Sequence, residues 1–186
     1  MITLVRIVWG ITGSGDLVPE IIKVMKQLED DDNTRLTVIV SKAGEQMLRL
    51  YGVWDELNSS FSKVLKESNA NVPFIAGPLQ LGKYDALVVA PLTANSTAKI
   101  AHGIADTLIT NAVAQTLKGN TPVYLFPVDQ VDEELEAVGP KGEKFSIKPR
   151  RVDLQNVKRL RDMERVTVVN SPLEIPSIIA GLLKKE

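Results

Sequence analysis

Three short segments carry side chains suited to holding an anion. In Gly10-Ile11-Thr12-Gly13-Ser14-Gly15-Asp16, glycines allow positive φ and close backbone approach, and Thr12 and Ser14 add hydroxyls. With N–H groups at a following helix start, this loop suits a phosphate. Its order, G-x-x-G-x-G, is not the dinucleotide fingerprint, and no acidic residue closes the next apolar run. The Gly-Lys-Ser/Thr ending of a Walker loop is also missing. A plain strand-to-helix turn would account for the loop as well. Ser41-Lys42 offers a second hydroxyl and a cation, or else a helix cap beside a solvated lysine. In Pro91–Thr97, the side chains of Thr93, Asn95, Ser96 and Thr97 crowd one helix entrance, and capping employs one or two of them.

Groups that break bonds are scarce. Cysteine is absent, which excludes disulfides, thiolate catalysis and iron–sulfur ligation by these residues. A single histidine, His102, leaves no helical His-x-x-x-His pair, and a zinc site would need mostly carboxylates. His102 reads as structural or surface, and Asp106 as a packing residue. Electron handling here would need a bound organic cofactor. The net charge of −1 and pI near 5.9 give no reason to expect nucleic acid. No apolar run approaches the roughly 18 residues of a membrane span. The start, MITLVRIVWG, reads as a first strand rather than a signal peptide. The expectation is a soluble cytoplasmic protein with one domain over residues 1–186.

The elements that position these loops follow from hydrophobic periodicity. Short β-branched runs alternate with longer amphipathic ones, the pattern of an α/β fold with a parallel sheet. The expected strands are Leu4–Trp9, Leu36–Val40, Ala86–Ala90, Val123–Phe126 and Val166–Val169, with a short extra one at Phe145–Lys148. The expected helices are Leu17–Leu28, Ala43–Leu50, a short one near Pro73–Leu79, Ser96–Leu117, Asp153–Met163 capped by Asp153, and Ser171–Leu183. Gln130–Lys144 reads as a charged loop. The fold class is α/β: a Rossmann-like, doubly wound parallel sheet in a three-layer sandwich. Its strand ends bring the three polar loops to one edge.

The stretch PLTANSTAKIAHGIADTLIT resembles the P-A-x-A-N-T-x-x-K-x-A-x-G-x-A-D-x-L-L-T signature of the FMN-binding flavoprotein superfamily. That superfamily includes homo-oligomeric flavin-containing cysteine decarboxylases and flavin prenyltransferases. Trp9–Asp16, Ser41-Lys42, Asn69–Phe74, Phe126–Asp129 and Arg151–Val157 look like its archaeoflavoprotein branch, close to the dihydromethanopterin reductases (acceptor). The resemblance implies a decarboxylase-like flavoprotein fold, an archaeal setting and bound FMN. Thr12, Gly13, Ser14, Gly15, Ser41 and Lys42 would then hold the phosphate. Pro91, Thr93, Asn95 and Thr97 would face the ribityl chain or ring, with Thr110 and Asn111 further along the helix. It also implies a trimer-based homo-oligomer, and the small residues Ala98, Ala101, Gly103, Ala105, Ala112 and Ala114 allow close packing at a subunit contact or within the monomer.

Departures from the signature bear on the reaction. Where decarboxylases of the superfamily place a catalytic histidine, this chain has Asn69-Ala70-Asn71-Val72, and neither asparagine shuttles protons near neutral pH. Where they have P-x-M-N, it reads Pro127-Val128-Asp129-Gln130. A flavin without acid–base partners suits electron transfer, because the cofactor performs the chemistry. Trp9 could flank such a flavin or sit in the core, and Lys99 is an available cation. Residues Lys141 to Arg165 include nine basic and four acidic residues, so this segment carries +5 against −6 elsewhere. Through Arg150, Arg151, Lys158 and Arg159 it could steer an acidic carrier such as ferredoxin, or it could pair with the acidic stretch Asp129–Glu136. The leading expectation is an FMN electron-transfer oxidoreductase that is reduced by ferredoxin and serves an unidentified acceptor, with no catalytic residue and no metal. The alternative is an FMN-using dihydromethanopterin reductase. A decarboxylase or a non-catalytic assembly subunit ranks lower.

Overall fold

Consecutive β-branched and apolar residues become strands buried on both faces. A computed structural model describes residues 4–182. Strands β1 (Val5–Ile11), β2 (Thr34–Val40), β4 (Ala86–Leu92) and β5 (Val123–Pro127) follow the apolar runs, and the short β3 (Val64–Lys66) lies where no strand was expected. A hairpin of β6 (Leu135–Val138) and β7 (Lys144–Ile147) precedes the last strand, β8 (Val166–Val168). Between them lie α1 (Val18–Glu29), α2 (Lys42–Leu50), α3 (Trp54–Ser60), α4 (Ala76–Gln80), α5 (Ala94–Ala101), α6 (Leu108–Thr116), α7 (Arg151–Arg161) and α8 (Ile175–Leu182).

Six strands make one parallel sheet in the order β3-β2-β1-β4-β5-β8. β4 is buried at every position, as a strand covered on both faces must be. Alternate side chains feed two cores. Ile7, Trp9, Val38 and Val88 meet α1 through Ile21, Ile22 and Met25, and α8 through Ile179. Val8, Ile39 and Val89 meet Leu79 of α4, Ile109 of α6 and Leu160 of α7. Helix–sheet–helix is the expected three-layer sandwich. The strand order reverses between β1 and β4, and an open α/β sheet has its crevice at that point, beyond the carboxyl ends of the strands.

Several local readings need correction. Gly10 and Ile11 continue β1 rather than opening the loop, because Gly10 pairs with both Ile39 and Val89. The long helix expected over Ser96–Leu117 is two helices. His102 closes α5, Gly103 turns the chain at φ 72, and Thr107 starts α6 with a capping box shared with Thr110. The expected charged loop contains β6, paired antiparallel with β7 from Leu135↔Ile147 to Val138↔Lys144. Asp153 is not the cap of α7. It sits in the first turn and accepts from the backbone N–H of Arg150. A 3-10 turn at Pro172–Glu174 precedes α8. Leu183 of the expected last helix lies outside the described residues.

Candidate functional site

Thr12 joins the two strands that flank the crevice. Its hydroxyl donates to the Pro91 carbonyl at 2.8 Å and accepts from the Thr93 N–H at 2.9 Å. Its own N–H also reaches the Pro91 carbonyl, at 3.2 Å. Thr12 is 2% exposed, so the β1 and β4 loops are held together by a buried side chain. The Ser41 N–H donates to the Ile11 carbonyl at 3.0 Å, which brings the start of α2 to the same edge. A Cβ on Gly13 would stand 2.8 Å from that of Ala43, so only glycine lets the β1 loop and α2 approach this closely. A Cβ on Gly15 would run into the ring of Tyr51. All three expected loops therefore meet.

The polar groups in this cluster divide into committed and free. Ser41 caps α2 by accepting from the Gly44 N–H, and Thr93 caps α5 by accepting from the Ser96 N–H. The Ser14 hydroxyl donates to Asp16 at 3.0 Å and accepts from the Asp16 N–H. Thr110 is occupied by its capping box, and Asn111 donates to the Ala70 carbonyl and the Asn71 amide oxygen. Thr110 and Asn111 thus pin α6 and the loop at 70–71, and their contacts do not reach the β1 loop.

The free groups cluster around the β1 and β4 loop ends. Among the described residues, the N–H groups of Gly13, Gly15, Leu17 and Val18 have no protein acceptor. Leu17, at φ 55, starts α1 without a side-chain cap. The side chains of Asn95 and Lys42 are exposed and have no partner among the described residues. The Thr97 hydroxyl is buried without a partner among the described residues. An uncapped helix start and an orphaned buried hydroxyl at one edge form a donor set for a polar, anionic ligand.

Glu67, at the end of β3, is a site-forming residue that sequence reasoning missed. Its carboxylate accepts from the Lys42 N–H at 2.9 Å and from the Leu108 N–H at 2.9 Å, serving the starts of α2 and α6 together. A built-in anion already satisfies the α2 terminus, so the backbone donors available for a ligand are those of the β1–α1 loop. Its sequence signal was a lone acid in a segment where no strand was expected.

A cavity of about 470 Å³ opens beside this loop, between Gly15–Glu20, the end of β5 and the β6–β7 hairpin. Tyr51, Phe126, Val128 and Ile147 give it an apolar wall. The Tyr51 hydroxyl donates to the Val138 carbonyl at 3.0 Å, tying the hairpin down. Burial raises the Asp129 carboxyl above its usual range, and the nearby Asp153 and Asp16 raise it further. This rim disfavours anions, whereas the backbone donors across the loop favour them.

Other residues read from the sequence have definite places. Trp9 is fully buried and donates to the Ala90 carbonyl at 2.8 Å, so it is a core residue. Lys99 is paired with Asp106 at 2.8 Å. His102 is exposed and contacts Asn156 and Arg159. In the basic segment, Arg150 is paired with Asp153, Lys148 with Asp132 and Lys144 with Glu136. Arg151 and Lys158 have no recorded partner among the described residues.

A family model described as Flavoprotein matches residues 1–183. The chain belongs to the Flavoprotein family. An uncharacterized protein of Methanocaldococcus jannaschii is 46% identical over 176 residues, covering 95% of both chains. The dihydromethanopterin reductase (acceptor) of the same organism is 41% identical over 131 residues, which is 67% of this chain. This flavoprotein-family chain spans about half of that reductase, 53% of its length. Among solved structures, DmrB of Burkholderia xenovorans in complex with FMN is 35% identical, with a TM-score of 0.82 over 96% of this chain and 95% of that one. DmrB is described as a cubic protein cage for redox transfer. No described helix is long and apolar enough to cross a membrane.

Proposed function

We propose that this chain, as one domain over residues 1–186, is an FMN-binding electron-transfer flavoprotein. The observation that carries the reading is the donor set at the crevice: free N–H groups at the uncapped start of α1, and the orphaned Thr97 hydroxyl on α5 at the same edge of the sheet. It fits FMN, with one anionic end and a polyhydroxyl chain. Gly13 and Gly15 would hold the phosphate through backbone N–H groups, with Ser14, whose N–H donates to the Thr12 carbonyl, shaping the loop, Lys42 supplying charge and Ser41 shaping the α2 start. Thr12 and Pro91 keep the two loops in register. Thr93, Asn95 and Thr97 would meet the ribityl chain or ring, with Thr110 and Asn111 supporting that wall from α6. When bound, the flavin supplies one- and two-electron redox chemistry. The FMN complex of DmrB supports the reading.

The electron donor we propose is ferredoxin, approaching the basic face of α7 through Arg150, Arg151, Lys158 and Arg159, and the acceptor is unidentified. A dihydromethanopterin reductase is the second reading, favoured by the relatives of that name. We place the chain in the cytoplasm as a trimer-based homo-oligomer. Val72 and Phe74, 48% and 75% exposed on the loop that Asn111 pins, give it an apolar surface to cover. Decarboxylation is disfavoured by Asn69 and Asn71, which cannot move a proton. Mixing FMN-loaded protein with reduced ferredoxin tests the reading: rapid bleaching, with none from NAD(P)H, supports it. A flavin that ferredoxin leaves oxidised refutes the donor, and turnover of dihydromethanopterin selects the second reading.

A further inference from the structure

At the far end of the sheet, Arg6 and Arg35 occupy directly paired positions on β1 and β2. Paired residues of parallel strands share a face, here the face on which Val8 and Ile39 meet the helices. That cover stops short: α4 ends at Gln80, and the chain turns at Gly82, φ 69, into Lys83 and Tyr84. A pocket of about 430 Å³ remains, lined by Arg6, Arg35, Thr37, Lys83 and Tyr84, with Leu4 and Pro78 as its apolar wall.

No ion pair engages these three cations among the described residues. Among the described residues the Arg35 guanidinium donates only to the carbonyl of its neighbour Thr34, at 2.7 Å. The adjacent carboxylate, Asp85, accepts the backbone N–H of Arg6 at 2.7 Å and leaves the side chains an excess of positive charge. Like charges directly opposite on paired strands repel, so an unneutralised arginine pair in a concave site is arranged for an anion. Two guanidinium forks and an ammonium recognise oxygen-rich, multiply charged groups. The pocket volume lies in the range of small-molecule sites.

We propose that this pocket binds a compact polyanion bearing phosphate or carboxylate groups, held by Arg6, Arg35 and Lys83. It lies at the amino ends of β1 and β2, whereas the crevice lies at their carboxyl ends. A seven-residue strand separates the two by roughly 20 Å. The site is therefore independent of the flavin reading.

Calorimetric titration with pyrophosphate and with citrate, in excess FMN so that the crevice loops are filled, tests the proposal. The expected result is saturable, salt-sensitive binding of at least one probe, weakened about tenfold or more in Arg35→Gln and again in Lys83→Gln. Binding of pyrophosphate alone assigns phosphate groups, and of citrate alone carboxylates. Circular dichroism checks that the variants fold. Silence of both probes up to about 10 mM overturns the proposal. Affinities unchanged in both variants do so too. A drop in oligomeric mass on adding either anion would also overturn it, by assigning the pocket to acidic side chains of a second copy.

Discussion

Replacing Thr12 by valine tests whether one hydroxyl holds the crevice together. Valine keeps the branching and nearly the volume, so no cavity forms in a residue that is 2% exposed. The Pro91 carbonyl keeps the Thr12 N–H at 3.2 Å, but the Thr93 N–H loses its acceptor at 2.9 Å. A lost O–H···O bond costs about 1 kcal/mol, and a stranded donor about 1–3, at the low end because Thr93 is only half-buried. The expected loss is about 2–3 kcal/mol. For a chain of 186 residues, each kcal/mol moves Tm by about 2–4 °C, so Tm should fall by about 4–12 °C. Urea denaturation of flavin-free protein measures the free energy and calorimetry the Tm. Thr12→Ser, which keeps the hydroxyl, should lose only about 1 kcal/mol. A Thr12→Val variant within about 0.5 kcal/mol of the parent would refute the reasoning, as would a serine variant that falls as far as valine.

Three further outcomes follow from the same contacts. Gly13→Ala puts a Cβ 2.8 Å from that of Ala43 and 3.2 Å from the Ala43 backbone, so α2 must shift. Urea denaturation should show a loss of about 1–3 kcal/mol. Glu67→Gln turns an amide donor toward one of two N–H groups and removes the shared charge, and should cost about 1–3 kcal/mol by the same assay. Asp129→Asn should raise Tm at about pH 7 but not at about pH 3. Burial raises this carboxyl in the folded state, so its contribution is favourable below the unfolded pKa and is lost as pH rises through the folded one. Equal Tm changes at both pH values would contradict the assignment.

The parallel sheet was legible because β4 is buried at every position and leaves an unbroken apolar run. Of the hairpin, β7 was legible from the alternation Lys144-Phe145-Ser146-Ile147 and lies one residue from the expected strand, whereas β6, three of whose four residues are exposed, reads as loop. The break between α5 and α6 was hidden by small residues that fit a continuous helix, and Gly103 reads as one more of them until its φ of 72 is known. The meeting of three polar loops followed from how parallel strands end at one edge. What each hydroxyl does there was not legible. Thr93 and Ser41 serve as helix caps and Thr110 closes the capping box of Thr107, whereas Thr97, of the same residue type as Thr93 and a few positions along, is left without a partner among the described residues. Glu67 escaped notice because its two partners lie 25 and 41 residues away. Trp9 could be read as a flavin neighbour or a core residue, and only three-dimensional packing distinguishes these.

Equilibrium titration of flavin-stripped protein with FMN, followed by quenching of flavin fluorescence, addresses the central claim most directly. The account predicts saturation at one FMN per chain, with affinity weakened about tenfold or more in an Asn95→Ala, Thr97→Val double variant that remains folded. Failure of the parent chain to bind FMN, or binding that the double variant leaves unchanged, would contradict a flavin held at the crevice between β1 and β4.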